Sequence, residues 1–264
     1  MNIVVCIKQV PDTAEVRINP ETNTLIRDGV ENIMNPFDRQ ALETALTLKD
    51  ASGAKVTVVS MGPPQATDIL KEAIAMGADD AVLISDRALA GSDTLATSVA
   101  LAAAVRKGGE CDLVLCGKQA IDGDTAQVGP EMAEHLGIPQ ITGALKVDFA
   151  DGKFVVVREN ESSVQTLACA APLLVTVTRA EKEPRFASIK GKMKARKAVI
   201  PTLTVADLAI DTKLVGLSGS PTKVKRVFTP EVPVVESEII NEEDTDKAVD
   251  MLFNKLVEAK IITR

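Results

Sequence analysis

Residues 111–137 read CDLVLCGKQAIDGDTAQVGPEMAEHLG, and the order of features within them decides the fold. Leu113, Val114, Leu115 and Cys116 form a short continuous apolar run, the mark of a strand buried on both faces. The run breaks at Gly117, crosses a polar loop over 118–124, and enters a helix that ends near Leu136 and Gly137. Pro130 is tolerated only in a first helical turn, where no amide hydrogen is needed, so the helix is predicted to start between Thr125 and Gly129. Asp124 and Gln127 have the spacing of a capping pair. A strand, a glycine turn and a helix N-terminus make a ready anion site, because the first helical N–H groups lack partners within the helix. The competing reading is an ordinary strand-to-helix connection, typically about two to six residues long. This loop is longer and carries Gln119, Asp122, Asp124, Thr125 and Gln127, which a connector does not require.

Upstream, the same alternation repeats. Residues 2–7 (NIVVCI) read as a central parallel strand, and 8–12 leave it as a loop. Alternating residues at 16–18 and 24–27, around NPETN, predict a small inserted hairpin. Asn35 and Pro36 have the cap and first-turn identities of a helix running to about Lys49, with Ala41, Leu42, Ala45, Leu46 and Leu48 as its apolar stripe. A strand over 55–60, a turn at MGPP, a helix over 65–76 closed by Gly77, and a strand over 81–85 follow. Asp93 is placed to cap a helix over 94–107. Strands alternating with helices imply a parallel sheet with right-handed crossovers. Ligands of such sheets bind beyond the carboxyl ends of the strands, here residues 6–9, 60–62, 85–86 and 117–119, with Asn35 on the first loop to gather there.

The pattern changes after Pro139. Residues 144–148, 153–158 and 164–169 are short and alternating, which predicts an antiparallel meander, and 172–178 (PLLVTVT) reads as one more buried strand. From Arg179 onward globular patterning fades. Residues 185–197 (RFASIKGKMKARK) hold six basic residues and no acids; they are either a solvated loop or a docking loop with Phe186, Ile189 and Met193 as anchors. A short helix is expected within 201–207, and an amphipathic helix over 243–260 follows a Pro- and acid-rich stretch at 229–246. Such a tail, poor in apolar surface of its own, is expected to lie across a partner.

Composition narrows the function. Of 264 residues, 45% are apolar and only 2% aromatic, with no Trp or Tyr, so the core is aliphatic and base stacking is not available. A net charge of −7 opposes general nucleic-acid binding. Cys6, Cys111, Cys116 and Cys169 lack metal or CxxC spacing and read as reduced cysteines of a cytoplasmic protein. No signal peptide and no membrane-spanning run are visible. The single His135 reads as a surface or cap residue. GxGxxG and the phosphate-loop GxxxxGK[ST] pattern are absent, as are HExxH and any nucleophile–base pair, so no hydrolase is indicated. An adenine nucleotide or flavin would therefore depend on the central loop. Its backbone amides and the Thr125 hydroxyl would hold phosphate, with Lys118 the nearby cation, while Asp122 and Asp124 oppose a phosphate unless they face a ribose or cap the helix.

Several motifs resemble one family together. NIVVCIKQVPD, ENIMNPFDRQALETAL, VVSMGPPQA, AMGADDAVLISD, GKQAIDGDTAQVGP and EPRFASIKGKMKARK occur in this order. The chain is similar over essentially its full length to the beta subunit of electron transfer flavoprotein. Residues 156–176 fit that family's signature, with Arg158, Glu161, Gln165, Leu167, Pro172 and Thr176 in register; Ser162 and Ser163 depart from it, where Gly or acidic residues are usual.

The resemblance implies an α/β fold of flavodoxin or Rossmann type, with a parallel sheet, a small antiparallel meander and an extended C-terminal arm. It divides the chain into a nucleotide-binding domain over 1–184 and a docking loop with arm over 185–264 that wraps an alpha subunit. Carried over, the nucleotide site comprises Cys6, Asn35, Pro36, Phe37, Asp38, Met61, Gly117, Lys118, Gln119, Ala120, Ile121, Asp122, Gly123, Asp124, Thr125, Ala126, Gln127 and Val128. Residues 185–197 become a recognition loop, with Arg185, Phe186, Ile189, Lys190 and Met193 facing a partner dehydrogenase and Ile189 as anchor. Ordinary members hold AMP at this site, whereas electron-bifurcating members hold a second FAD. NPFDRQALETAL, MGPPQA and GDTAQVGPEMAEHLG resemble the bifurcating versions, which adds Thr94 and Thr97 as flavin contacts. The implied protein is a subunit that, with its alpha partner, oxidises NADH and splits electrons between ferredoxin or flavodoxin and an acyl-CoA dehydrogenase. A non-bifurcating carrier with structural AMP, and an ATP-binding domain of universal-stress type that forms homodimers, are the alternatives.

Overall fold

The structure, a computed structural model, describes residues 1–12, 31–225 and 237–263. The hairpin expected at 16–18 and 24–27 lies outside the described residues. Contacts divide the chain into the units Met1–Arg226 and Val227–Arg264.

In the first unit the apolar runs become strands: β1 (Asn2–Cys6), then a two-stranded ribbon of β2 (Gln9–Pro11) and β3 (Asn32–Met34), then helix α1 (Pro36–Ser52). Next come β4 (Lys55–Met61), α2 (Thr67–Met76), β5 (Asp80–Ile84), α3 (Thr94–Lys107), β6 (Leu113–Gly117) and α4 (Val128–Leu136). β7 (Gln140–Ala150), β8 (Lys153–Glu159), β9 (Val164–Cys169) and β10 (Leu173–Val177) complete the strand-rich part, and α5 (Ile189–Lys197), β11 (Thr202–Leu203) and α6 (Gly216–Gly219) lie beyond it in the chain. The main sheet has the order β11-β5-β4-β1-β6-β10-β7-β8-β9. Its first seven strands pair in parallel; β7, β8 and β9 form the antiparallel meander. From β1 the chain winds outward through β4 and β5, then returns to place β6 on the other side, so the strand order reverses between β1 and β6.

Strand alternation supplies two cores. Ile3, Val5, Val56, Val58, Leu113, Leu115, Leu173 and Val175 face α1 and α2, which contribute Leu42, Leu46, Ile69 and Leu70. Val4, Cys6, Val114, Cys116 and Leu174 face the opposite way, against Ala100, Leu101 and Ala104 of α3 and Met132 and Ala133 of α4. Each fully buried Leu or Ile contributes roughly 1.5–3 kcal/mol, and with few aromatics the core depends on many such aliphatic contacts.

Three sequence expectations are corrected. β7 starts at Gln140, four residues before the predicted alternation, because its first part pairs in parallel with β10 and only its later part pairs with β8. Residues 201–207 do not form a helix. Thr202–Leu203 is instead an edge strand, in which the carbonyls of Pro201 and Leu203 accept from the Leu83 and Ser85 amides of β5, groups that would otherwise lack a ladder partner. The basic run is not a loop throughout: its last nine residues are helix α5, capped by the Ser188 hydroxyl accepting from the Gly191 amide at 2.9 Å. α5 packs on the end of α2, where a Cβ at Gly191 would lie 2.0 Å from the Ala75 carbonyl, so only glycine lets the helix seat this closely. Lys194 adds bonds to the Ala78 and Asp79 carbonyls at 3.0 and 3.1 Å.

In the second unit, α7 (Thr245–Glu258) begins at Asp244, whose side chain accepts from the Asp246 and Lys247 amides. This matches the helix expected over 243–260. Among the described residues no helix is long and apolar enough to cross a membrane.

Candidate functional site

The site lies where β1 and β6 leave the sheet, at the reversal of strand order. Asp38, in the first turn of α1, reaches both exits: one carboxylate oxygen accepts from the Lys8 amide at 2.8 Å and the other from the Gly117 amide at 3.0 Å. Gly117 has no room for a side chain, since a Cβ there would lie 2.3 Å from the Asp38 Oδ1 and 2.7 Å from both the Asp38 nitrogen and the Phe37 carbonyl carbon. Burial raises the Asp38 acid to about 7, although the two amides, the nearby Asn35 carboxamide and the Lys8 charge all favour its ionised form. Its carboxylate oxygens are therefore engaged by the protein's own backbone.

Asn35 was expected to cap α1, but its side chain makes no capping bond. It is fully buried and turns into the central loop, donating to the Gln119 carbonyl at 2.8 Å and accepting from the Ile121 amide at 3.1 Å. One carboxamide thus meets a carbonyl and an amide two residues apart, as a neighbouring backbone strand would. The Asn35 amide in turn donates to the Lys8 carbonyl at 2.9 Å, which joins the loop to the β1 exit. The predicted capping pair is also absent. Asp124 accepts from the Gln119 side chain, and Gln127, at the cap position of α4, makes no side-chain capping bond.

The loop then bends through left-handed positions at Asp124 (φ 53°) and Ala126 (φ 55°), followed by right-handed Gln127. Such alternation turns successive amides towards one side, the backbone arrangement of anion-binding concavities. A left-handed alanine is also costly, on the order of 1 kcal/mol or more. Among the described residues the amides of Thr125, Ala126, Gln127, Val128 and Gly129 have no hydrogen-bond partner. Gly129 lets this end of α4 descend onto β10, where a Cβ would lie 2.6 Å from the Thr176 methyl. The helix start within 125–129 is as the proline placed it.

Other expected residues surround this centre. Cys6 ends β1 in register with Cys116 of β6, and both are buried on the α3 and α4 side. Hydrogen bonding to Cys116, together with burial, pushes the Cys6 thiol well above its usual range, so it stays protonated. Met61 ends β4 half-buried against the same cluster. Thr94 opens α3 and donates to Glu131 of α4 at 3.0 Å, and Thr97 lies half-buried one turn further on. Lys118 is exposed, and its amide donates to the Val177 carbonyl. Pro36 is exposed and Phe37 half-buried at the start of α1. The sequence analysis missed Lys8 as a site cation: its ammonium meets both oxygens of Asp122, at 2.7 and 2.8 Å. Its place directly after β1 was the available signal. His135, read as a surface or cap residue, has its ring Nε2 buried without a partner, while its carbonyl accepts from Arg106.

The residues of the basic stretch separate into two groups. Arg185 turns inward, bridging Glu43 of α1 and Asp50, and these carboxylates raise its already high pKa further. Phe186, Ile189 and Met193 project outward, 90%, 82% and 57% exposed, with exposed Lys190 beside them.

Together the sheet order and the site define a doubly wound α/β protein in which, among the described residues, a run of unpartnered amides follows the β6 exit, where the strand order reverses. The sequence matches the electron transfer flavoprotein domain over residues 22–208. It is 53% identical over 270 residues to the electron transfer flavoprotein subunit beta of Megasphaera elsdenii, covering 99% of this chain and 100% of the relative. It is 54% identical over 233 residues to the subunit of the same name from Clostridium acetobutylicum, covering 88% and 89%. The Caffeyl-CoA reductase-Etf complex subunit CarD of Acetobacterium woodii is 44% identical over 263 residues, covering 99% and 100%. The chain belongs to the electron transfer flavoprotein family, among its beta subunits.

Proposed function

We propose that the chain is the beta subunit of an electron-bifurcating electron transfer flavoprotein. In this reading it binds FAD at the loop of residues 117–128 and acts with an alpha subunit. The heterodimer oxidises NADH and divides the electrons between ferredoxin or flavodoxin and an acyl-CoA dehydrogenase. The observation that carries the nucleotide site is the run of five amides from Thr125 to Gly129 that have no partner among the described residues, at the strand-order reversal. Support for the acyl-CoA partner comes from the relative that is named as a subunit of a caffeyl-CoA reductase complex. Support for the bifurcating class comes from the motifs NPFDRQALETAL, MGPPQA and GDTAQVGPEMAEHLG.

The residues present fit an adenine dinucleotide. The five amides and the Thr125 hydroxyl would hold the diphosphate without a free arginine. Asp122 and Asp124, each already accepting a bond from Lys8 or Gln119, stand beside the anion site without being left as bare charges. Cys6 and Met61 would line the floor, Pro36 and Phe37 one wall, with the buried Asn35 and Asp38 behind it holding the loop and strand exits, and Thr94 and Thr97 the side towards α3. A flavin bound here supplies the hydride acceptance and one-electron transfer that no side chain of the site can perform. The chain's part is to hold, orient and shield: Cys6 remains a neutral thiol, and Asp38 faces backbone amides rather than the ligand. Phe186, Ile189, Lys190 and Met193 are proposed as the surface that meets the dehydrogenase.

The test is to denature the purified heterodimer and identify the nucleotides released. Two FAD per heterodimer are expected. One FAD and one AMP would replace this reading with the non-bifurcating carrier, and a beta subunit that released no nucleotide would overturn the site itself.

A further inference from the structure

We infer that Asn35 is a positioning residue for the nucleotide loop, acting through Gln119 and Ile121 rather than by touching the ligand. The inference rests on the nucleotide reading above and adds the element that shapes the site. Both hydrogen-bonding ends of the carboxamide are occupied by one loop, at 2.8 Å to the Gln119 carbonyl and 3.1 Å to the Ile121 amide. The side chain is completely buried, so nothing in solvent can replace either bond if it is lost. The same residue's amide is tied to the Lys8 carbonyl, and its carbonyl accepts from the Arg39 amide of α1 at 3.0 Å. Asn35 therefore ties the loop to the β1 exit and to the first turn of α1.

This anchoring matters because the next few residues are strained. From Ala120 the chain makes a tight turn, with the Gly123 and Asp124 amides both donating to the Ala120 carbonyl, and then passes through the left-handed Asp124 and Ala126. Those two strained positions persist only while the segment before them is held. Without the Asn35 bridge, Gln119 and Ile121 lose their partner in a buried setting, and the turn can relax. The backbone of 124–127, and with it the direction of the amides that follow, is then no longer fixed. A cap-only role for Asn35 is already excluded by the absence of any capping bond.

The experiment uses the full-length chain with its alpha subunit, freed of bound nucleotide, and measures equilibrium binding of AMP and of FAD. Asn35→Ala is expected to weaken binding about tenfold or more, the scale of leaving one or two buried polar groups unpaired. Asn35→Asp keeps the size and the acceptor for Ile121 but sets an anionic oxygen against the Gln119 carbonyl, so it too should weaken binding at pH 8. As pH falls and the new acid takes a proton it can again donate to Gln119, and binding should recover. Because Lys8, Asp38 and Asp122 lie in the same network, the readout is the ratio of the Asn35→Asp and wild-type dissociation constants at each pH. A ratio that falls towards one in acid supports the bridge; a ratio constant with pH, or unchanged binding by Asn35→Ala, overturns it. If the variants fail to fold, hydrogen exchange of the wild type decides: the Ile121 amide should exchange at least tenfold more slowly than that of Thr125, and equal rates overturn the proposal. Wild-type protein that binds neither AMP nor FAD would instead defeat the nucleotide reading and leave a slow Ile121 amide standing.

Discussion

Replacing Gly117 by alanine should damage both the fold and the site, and the size of the effect can be worked from three distances. The added carbon would sit 2.3 Å from the Asp38 Oδ1 and 2.7 Å from the Asp38 nitrogen and the Phe37 carbonyl carbon. Rotating the carboxylate could relieve the first overlap, but only by giving up its 3.0 Å bond to the Gly117 amide. The other two contacts are with backbone at the start of α1 and cannot be relieved by a rotamer change. The end of β6 or the first turn of α1 must move instead. Overpacking of this kind costs about 1–3 kcal/mol, and at pH 8, where Asp38 is ionised, a lost hydrogen bond to a charged group adds roughly 1.5–3 kcal/mol. Gly117→Ala is therefore expected to lose about 3–5 kcal/mol in urea unfolding and to bind AMP or FAD at least tenfold more weakly. Gly123→Ala, where a Cβ meets nothing, is the control and should be close to neutral. If Gly117→Ala unfolded within about 1 kcal/mol of wild type with nucleotide binding intact, the packing of β6 against α1 would not be as tight as these distances require.

Three further outcomes can be checked. The Asp38 acid is raised to about 7 in the fold, so its protonated form is favoured there; this stabilising contribution is complete below the unfolded value near 3.8 and is lost as pH rises to about 7. Relative to Asp38→Asn, wild type should lose on the order of 4 kcal/mol between pH 4 and pH 7 and run parallel above it, and parallel curves throughout would refute the shift. Asp122→Asn frees the Lys8 ammonium, which should tighten nucleotide binding about threefold at low salt, an advantage lost near 1 M salt; salt-independent tightening would point to another cause. Ile189→Ala, at an 82% exposed position, should leave thermal stability unchanged but slow electron transfer to the partner dehydrogenase about tenfold or more, and unaltered transfer would remove Ile189 from the docking surface.

The strands and helices that set the fold were legible because burial on both faces leaves a plain trace. LVLC is apolar without interruption and LLVTV is broken only by Thr176, and each became a fully buried central strand. Where the structure departs from the sequence, the cause is a partner distant in the chain. The expected strand began at 144, yet β7 runs back through Gly143, which has a left-handed φ of 76° and no space for a side chain beside the Glu159 carbonyl. β11 could not be anticipated from its own residues, because what defines it is the open edge of β5, more than a hundred residues earlier. α5 depends in the same way on Gly191 meeting the end of α2.

The loop and the helix start after β6 were legible in the sequence, but what holds them together was not. Pro130 and the length of the polar loop located the helix start and its free amides, since both are local properties of the chain. Asn35 and Asp38 carried the right identities for a helix cap and an acidic first turn, and each is satisfied elsewhere: Asn35 by a loop 84 and 86 residues away, Asp38 by amides 30 and 79 residues away. A local rule assigned these side chains to the nearest backbone donors, whereas burial made the long-range partners more valuable, because an unpaired loop carbonyl or strand-exit amide inside the protein costs more than an uncapped helix end facing water. The same reasoning explains why α1 carries no side-chain cap although asparagine stands at the capping position. The two central strand exits and the loop beyond β6 must be held by something if this place is to bind the proposed nucleotide, and here two polar residues three positions apart on one helix entry hold both.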